Sequence, residues 1–307
     1  MKPNISKIKQ EKTIQELLEF SIINVDKPSG PTSFDISDFV RKKLSDLGVK
    51  KTSHFGTLDP KVTGVLPIAL NRACKLTGFF LGEDKEYVGI MRIHEEVALS
   101  KIKKIIEEKV TGVITQMSPV KSRVKRQFRE REIKRFEILE EGESENKKDL
   151  LFIAEVQGGT YIRKLIDDLG KELEIGAHML ELRRVRAGIF EEHSKDYPSV
   201  TLYELDKAIE ELKKGNEKLL KDMLIPGEIV SELFEVVYVK DDKTIIKSLF
   251  TGKPLINSYI KNKDNITELD EDEKICVFNE NRFIGIYKVI KEGEIYAKPD
   301  FVLQPLN

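Results

Sequence analysis

The sequence predicts a mixed α/β fold with two domains. The 307 residues are enough to form more than one folded domain. Before residue 230 or so, short apolar runs typical of strands alternate with segments whose apolar residues recur at helical spacing. From residue 233 to residue 307 the pattern changes to short strands without a long helix. A domain boundary is therefore expected near residue 230.

The composition is that of an ordinary globular protein. Hydrophobic residues make up 40% of the chain and charged residues 34%, which argues against long disordered regions. The 52 Lys and Arg residues nearly cancel the 53 Asp and Glu residues, so any contact with nucleic acid has to rest on a local basic cluster. Neither a signal peptide nor a membrane-spanning apolar run is recognisable, and a cytoplasmic protein is expected.

Cysteine and histidine give no sign of a metal site or of a disulfide framework. Cys74 and Cys276 are far apart in the sequence and are interpreted as two buried, reduced thiols. The four histidines are scattered, and there is no Cys-x-x-Cys motif. Neither a metal nor a cofactor is predicted.

The elements of the larger domain follow from the periodicity. Residues 1–19 are rich in Lys and Glu and are expected to be a frayed terminal arm. Strands are predicted over residues 21–25, 65–70, 86–93 and 150–156. Helices are predicted after Ser33, which can serve as a cap, after Ser100, after the glycines at 158 and 159, and after Thr201, which starts a capping-box pattern.

One loop stands out between the predicted strands. Residues 54–67 read HFGTLDPKVTGVLP, and Asp59 lies between Gly56 and Gly64, directly before Pro60. A residue before proline is driven towards extended geometry, so Asp59 is not a charge on the surface of a helix. On these residues alone, an Asp in such a loop is more often a turn or capping residue than a catalyst.

The most basic stretch covers residues 118–131 and contains Phe128. A charged run is usually a solvated surface. This one is almost entirely of one sign, as a groove that follows RNA phosphates requires.

Several of these motifs together resemble the pseudouridine synthases that include bacterial TruB and the archaeal and eukaryotic dyskerin-like enzymes. Residues 54–67 resemble the catalytic loop of that family, and residues 26–33 resemble its Lys-Pro-x-Gly-x-Thr-Ser turn. Phe34 and Asp35 stand where the family usually has His-Glu, which questions any role given to that histidine. Further resemblances are Gly-Thr-Tyr-Ile-Arg at 159–163, Leu-Arg-Arg-x-x-x-Gly at 182–188, and a PUA domain at 251–255 and 281–286.

The resemblance implies a role for each matching residue. Asp59 would be the catalytic residue, Tyr87 would stack on a flipped base, and Arg163 would orient Asp59 and keep it ionised. The remaining implied roles are pocket lining by Leu182, support of the loop by Lys27 and Pro28, and RNA binding by His54, Lys125, Arg126, Arg183 and Arg184.

The resemblance also implies the architecture and the activity. The fold would be a mixed, mostly antiparallel sheet flanked by helices, followed by a small β-barrel PUA domain. The expected divisions are an arm at 1–20, a catalytic domain at 21–230 and the PUA domain at 231–307. The activity would be isomerisation of uridine in rRNA or tRNA.

Two branches of the family and one other class of function are open. The basic block resembles that of the archaeal enzymes, which act in a box H/ACA ribonucleoprotein with a guide RNA and the other core proteins. A stand-alone synthase that acts on the tRNA T-loop is the alternative. A non-catalytic RNA-binding scaffold is the alternative of another class, although such a protein would have no reason to keep Asp59, Tyr87 and Arg163.

Overall fold

The computed structural model describes residues 2–117, 127–142, 148–262 and 269–304, and all structural statements refer to these. Their strands form two sheets. The strands of the larger sheet are β1 Ser21–Lys27, β2 Thr52–His54, β3 Thr63–Leu70, β4 Lys85–Ile93, β5 Gly112–Met117, β6 Phe128–Gly142, β7 Lys148–Val156, β8 Ala177–Ala187, β9 Phe190–Glu191 and β10 Ile225–Pro226. The strands of the smaller sheet are β11 Glu235–Tyr238, β12 Leu255–Ile256, β13 Lys274–Asn279, β14 Arg282–Glu292 and β15 Ile295–Val302.

The larger sheet runs in the order β10-β1-β3-β8-β4-β7-β6-β5, with β2 paired to β3 and β9 paired to β8. Its described strand pairs are antiparallel except for the parallel pair of β3 and β8. The smaller sheet runs β11-β13-β14-β15-β12. The predicted fold class, a mostly antiparallel mixed sheet flanked by helices and followed by a smaller β unit, is therefore confirmed.

Helices flank the larger sheet, and the last one in the chain packs against β14 of the smaller sheet. They are α1 Ile5–Glu11, α2 Ile14–Glu19, α3 Ser33–Lys43, α4 Thr77–Leu81, α5 Leu99–Ile105, α6 Ile162–Glu172, α7 Leu202–Lys213, α8 Lys218–Met223 and α9 Lys243–Phe250. Shorter 3₁₀ turns lie at Ser45–Leu47, Asn71–Leu76, Gly227–Glu232 and Asn257–Tyr259, and a π turn, Ile106–Val110, extends α5. Within the described residues, no helix is both long and apolar enough to cross a bilayer.

Capping boxes fix the starts of α3 and α7. Thr201 and Glu204 form the predicted box of α7. At α3 the cap is Thr32, which exchanges hydrogen bonds with Asp35, and not Ser33 as expected. Ser33 is the first helical residue, so its side chain is free to turn inward.

The expectation of a frayed N-terminal arm is wrong. Ile5 and Ile8 of α1 are buried, as are Leu17 and Leu18 of α2. Ile5 and Ile8 pack in the cluster that contains residues 225–230 and parts of the smaller sheet, and Leu17 and Leu18 pack in the main core. The lysine-rich composition of the segment describes only its solvent-facing side.

A shared aromatic contact joins the two sheets. Phe20, directly before β1, stacks on Phe283 of β14 with ring centroids 5.8 Å apart and on Phe301 of β15 at 6.0 Å. All three belong to one apolar cluster that also includes residues of β1 and β3. The smaller sheet is therefore packed against the larger one through apolar side chains.

A glycine permits the parallel pairing of β3 and β8. Gly64 lies opposite Arg184, and its φ of +99° is one that residues with a side chain rarely adopt. A Cβ atom at Gly64 would lie 2.2 Å from the Arg184 carbonyl oxygen. The start of β3, which follows the Asp59 loop, can pair with β8 only because Gly64 has no side chain.

Gly64→Ala is expected to lower the free energy of unfolding by at least about 3 kcal/mol, because it adds both backbone strain and a clash with the β8 backbone. Gly30→Ala is the matched control, since Gly30 has φ +114° but open space around its Cβ position. Strain alone should cost the control about 1 to 2 kcal/mol. Urea unfolding measures both, and equal losses would contradict the role given to Gly64.

Candidate active site

The loop that carries Asp59 connects β2 to β3 and is anchored at its first residues by an aromatic side chain. Phe55 is buried and stacks on Phe80, with ring centroids 4.8 Å apart. The Phe55 amide donates to the Pro67 carbonyl oxygen at 3.0 Å. The chain therefore leaves the sheet at a fixed point.

A buried ammonium group holds the far side of the loop. Lys27, the last residue of β1, is fully buried, and its Nζ donates to the carbonyl oxygens of Pro28 at 2.9 Å, Pro60 at 2.9 Å and Val62 at 2.8 Å. These three acceptors use all three N–H groups of a lysine. Burial lowers the pKa of Lys27. Lys27 thus holds the loop at Pro60 and Val62. The support expected from Pro28 stays a prediction.

A serine hydroxyl fixes the residue directly before Asp59. Ser33 Oγ donates to the Leu58 carbonyl oxygen at 3.1 Å and accepts from the Leu58 amide at 2.8 Å. Leu58 itself is buried in the main core. Because both backbone groups of Leu58 bond to one side chain on α3, the direction of the chain into Asp59 is set.

Asp59 itself points to the surface and meets Arg163. The Arg163 guanidinium donates through Nη2 to Asp59 Oδ2 from the first turn of α6. The side chain of Asp59 is 51% exposed and that of Arg163 is 62% exposed, so this ion pair is open to a large substrate. The expected contact is present, whereas the roles of the two residues in a reaction stay predictions.

Tyr87 and Leu182 lie on neighbouring strands, β4 and β8, and both are nearly buried on the sheet face that carries the main core. Leu182 is paired with Gly89, two residues after Tyr87. Tyr87 is paired with Arg184 across the two strands. The two side chains therefore lie next to each other on the same face of the sheet.

His54 lies at the end of β2 and contacts both α3 and the loop. Its Nδ1 is 3.1 Å from Ser37 Oγ, and its Nε2 is 3.2 Å from Thr57 Oγ1. The ring is partly exposed. These contacts fix its orientation, and RNA binding by His54 stays a prediction.

The prediction that Arg184 faces RNA is wrong, because this side chain is only 1% exposed. Successive residues of a strand point to opposite faces, so one of the two consecutive arginines had to point into the protein. Its Nε donates to the Val65 carbonyl oxygen at 2.8 Å and its Nη2 to the Gly56 carbonyl oxygen at 3.0 Å. Burial lowers the pKa of Arg184, and the electrostatic interaction with the neighbouring Tyr87 opposes this effect.

Arg183 points to the other face, where two carboxylates hold it. It donates to Asp26 at 3.0 and 2.9 Å and to Glu192 at 3.0 and 2.6 Å. The hydrogen bonds to Glu192 and then to Asp26 raise the pKa of Arg183. Both carboxylates compensate the charge of Arg183, which reduces its attraction for RNA phosphates. RNA binding by Arg183 stays a prediction. Lys125 and Arg126 lie outside the described residues.

Sequence reasoning missed a third buried cation near the loop, besides Lys27 and Arg184. Lys85 is 5% exposed, and its Nζ donates to the carbonyl oxygens of Phe80 at 3.4 Å, of Leu81 at 2.8 Å and of Glu83. Burial, followed by the charge of Arg184, lowers the pKa of Lys85 to about 8. A lysine that starts an alternating strand gives no signal of such burial. The part played by Ser33 was missed too, although it ends the Lys-Pro-x-Gly-x-Thr-Ser turn.

Two family descriptions match consecutive parts of the chain. "TruB family pseudouridylate synthase (N terminal domain)" matches residues 42–162, and "tRNA pseudouridylate synthase B C-terminal domain" matches residues 163–231. The first covers the Asp59 loop and Tyr87 and ends one residue before Arg163.

Archaeal relatives agree with this assignment. A protein of Sulfurisphaera tokodaii named "Probable tRNA pseudouridine synthase B" is 36% identical over 300 residues, which cover 96% of this chain and 86% of the relative. A protein of the same name from Nanoarchaeum equitans is 41% identical over 232 residues, covering 74% of this chain but only 62% of that relative's length. The chain belongs to the TruB family of pseudouridylate synthases.

Solved structures extend the similarity to almost the whole chain. The protein described as "Crystal Structure of a Cbf5-Nop10-Gar1 Complex" superposes with a TM-score of 0.83 at 31% identity, covering 97% of this chain and 89% of the other. One described as "Structure of H/ACA RNP bound to a substrate RNA containing 2'-deoxyuridine" gives a TM-score of 0.82 at 30% identity, with the same coverage. This similarity includes both sheets.

Ser33→Ala is expected to lower the free energy of unfolding by about 1 to 3 kcal/mol, because it leaves a buried amide and a buried carbonyl of Leu58 without a partner. Ser29→Ala is the control on the same turn. Its hydroxyl is exposed and 3.5 Å from the Lys61 carbonyl oxygen, so the free energy of unfolding should fall by no more than about 0.5 kcal/mol. Urea unfolding of both variants tests this, and equal midpoints would contradict it.

Proposed function

We propose that the protein is an RNA pseudouridine synthase in which Asp59 carries the chemistry. The observation that supports this best is the exposed Asp59–Arg163 pair on a loop whose backbone is held from below by Lys27 and Ser33. A carboxylate that is open to the surface but fixed in direction suits a reaction on a large substrate. Membership of the TruB family supports the same conclusion.

The reaction breaks the bond between the uracil nitrogen and the ribose, turns the base, and rejoins it through carbon. Carboxylates handle a related oxocarbenium-like centre in glycoside hydrolysis. Asp59 can act either as a nucleophile towards the sugar or as a base that removes a proton from it. The Arg163 guanidinium would orient the carboxylate in both cases.

The target base has to leave its stack to reach a carboxylate on a protein loop, at a cost of a few kcal/mol. Tyr87 and Leu182 on adjacent strands are proposed to receive it, the ring by stacking and the leucine by lining the pocket. Their near burial in the free protein is compatible with a narrow pocket rather than an open groove. His54, on the β2 side of the loop, is proposed to lie against the RNA.

The substrate is proposed to be rRNA or tRNA selected by a guide RNA in a box H/ACA ribonucleoprotein. The support is the similarity over both sheets to the chain in structures described as a Cbf5-Nop10-Gar1 complex and an H/ACA ribonucleoprotein with substrate RNA. On this proposal the smaller sheet is a PUA domain that binds RNA, and core proteins of such a particle bind this chain. The relatives' name favours the alternative, a stand-alone tRNA synthase.

Asp59→Asn is expected to reduce turnover by at least ~10³-fold while RNA affinity stays near that of the wild type, because size is kept and the charge is lost. Release of tritium from RNA labelled at uridine C5 measures turnover, since that hydrogen is lost when C5 joins the ribose. Asp46→Asn, at an exposed position outside the loop, is the control. Residual activity within about tenfold of wild type would reject the assignment. A wild type that binds RNA without tritium release would favour the scaffold alternative.

The guide-RNA proposal predicts that the chain alone modifies a tRNA T-loop poorly and that a target uridine is modified when a matching guide RNA and the partner proteins are added. A guide whose pairing sequence is scrambled is the control and should remove the effect. Mapping of pseudouridine by primer extension after carbodiimide treatment identifies the position. Efficient T-loop modification by the chain alone would instead establish the stand-alone alternative.

A further inference from the structure

Arg184 is a buried arginine whose presence is explained neither by contact with RNA nor by the stability of the fold alone. It lies on β8, beneath the catalytic loop, with its side chain almost completely buried. Among the residues that the structure describes, no carboxylate lies within ion-pair distance of its guanidinium. Its hydrogen-bond partners are the carbonyl oxygens of Gly56 and Val65, and its cross-strand neighbour is Tyr87.

The contacts of Arg184 join three parts of the candidate active site. Gly56, whose carbonyl oxygen Arg184 holds, lies in the loop two residues after the end of β2, and Val65 is the third residue of β3. Tyr87 is the cross-strand neighbour of Arg184 in the β4–β8 pair. One guanidinium therefore bonds to the backbone on both sides of Asp59 and lies next to the tyrosine.

The energetics argue that this arrangement serves more than stability. A buried charge costs several kcal/mol in desolvation, and apolar residues of similar volume often replace buried ions without loss of stability. A methionine could fill a similar volume, but it could not donate the two hydrogen bonds to Gly56 and Val65. What arginine adds is a planar group with five N–H donors in fixed directions.

We propose that Arg184 is a positioning residue that keeps Asp59 and Tyr87 in a fixed spatial relation, so that an extruded uracil fits between carboxylate and ring. The inference rests on the proposed function. Both ends of the loop and the ring then move as one unit, and the distance between the reacting groups is set before RNA binds. A misplacement of about 1 Å at a reacting centre can cost about 10²-fold in rate.

Arg184→Met and Arg184→Lys test this, with Arg186→Met as the matched control. Arg186 lies on the same strand, but it pairs with Glu155 at 2.8 Å and contacts no part of the loop among the described residues. With kcat normalised to the folded fraction, both Arg184 variants should lose about 10²-fold in kcat with KM for RNA within about threefold, and the control should match wild type.

Several kinetic outcomes would overturn the proposal. A kcat within about threefold of wild type in a folded Arg184 variant would do so. Restoration of kcat by Arg184→Lys would too, because charge rather than the planar group would then suffice. If Arg184→Met does not fold, Arg184→Lys alone decides. If neither folds, the residue is a structural one and the proposal fails.

Amide hydrogen exchange in the absence of RNA tests the positioning independently of any activity. Exchange in residues 56–65 should accelerate by about tenfold or more in Arg184→Met and should not change in Arg186→Met. Unchanged exchange in this loop would overturn the proposal. If wild type shows the expected exchange but modifies no RNA, the proposed function fails while the positioning by Arg184 stands.

Discussion

The candidate site depends on buried cations that hydrogen-bond to the backbone carbonyl oxygens of a loop. A loop lacks the ladder partners that satisfy the backbone of a sheet, and buried carbonyls without partners are costly. Lys27 and Arg184 supply the missing donors from beneath. Their charge strengthens each of these bonds, and the loop is held in one conformation without secondary structure of its own.

The stability contributed by the loop and the chemistry expected of it are separated in space. Lys27, Ser33 and Arg184 are buried and hydrogen-bonded to the backbone at the loop, whereas the Asp59–Arg163 pair is exposed. Exposed ion pairs contribute about 0 to 1 kcal/mol to folding, so this pair can rearrange around a substrate at little cost to the fold. The proposed extrusion of a nucleotide requires both features: a loop backbone that is held rigidly and an Asp59–Arg163 contact that can change when the substrate binds.

The sequence predicts those features of the site that depend on local patterns. The loop, the turn at Lys27 and the strand that begins before Tyr87 are each visible within about ten residues. The sequence could not show which of two consecutive arginines is buried. Alternation along β8 requires one to face inward, but the choice follows from its parallel pairing with β3, more than a hundred residues earlier. The burial of Ile5 and Ile8 depends equally on distant residues.

The packing of the two sheets has a consequence for RNA selection. Phe20, which stacks on β14 and β15, directly precedes β1, and β1 ends at Lys27 beneath the catalytic loop. A single strand therefore connects the interface of the smaller sheet to the support of Asp59. If the smaller sheet binds RNA, as proposed, the distance from that binding site to the carboxylate is fixed by a strand rather than by a flexible linker. Such a fixed distance lets RNA geometry, and not only base identity, decide which uridine reaches Asp59.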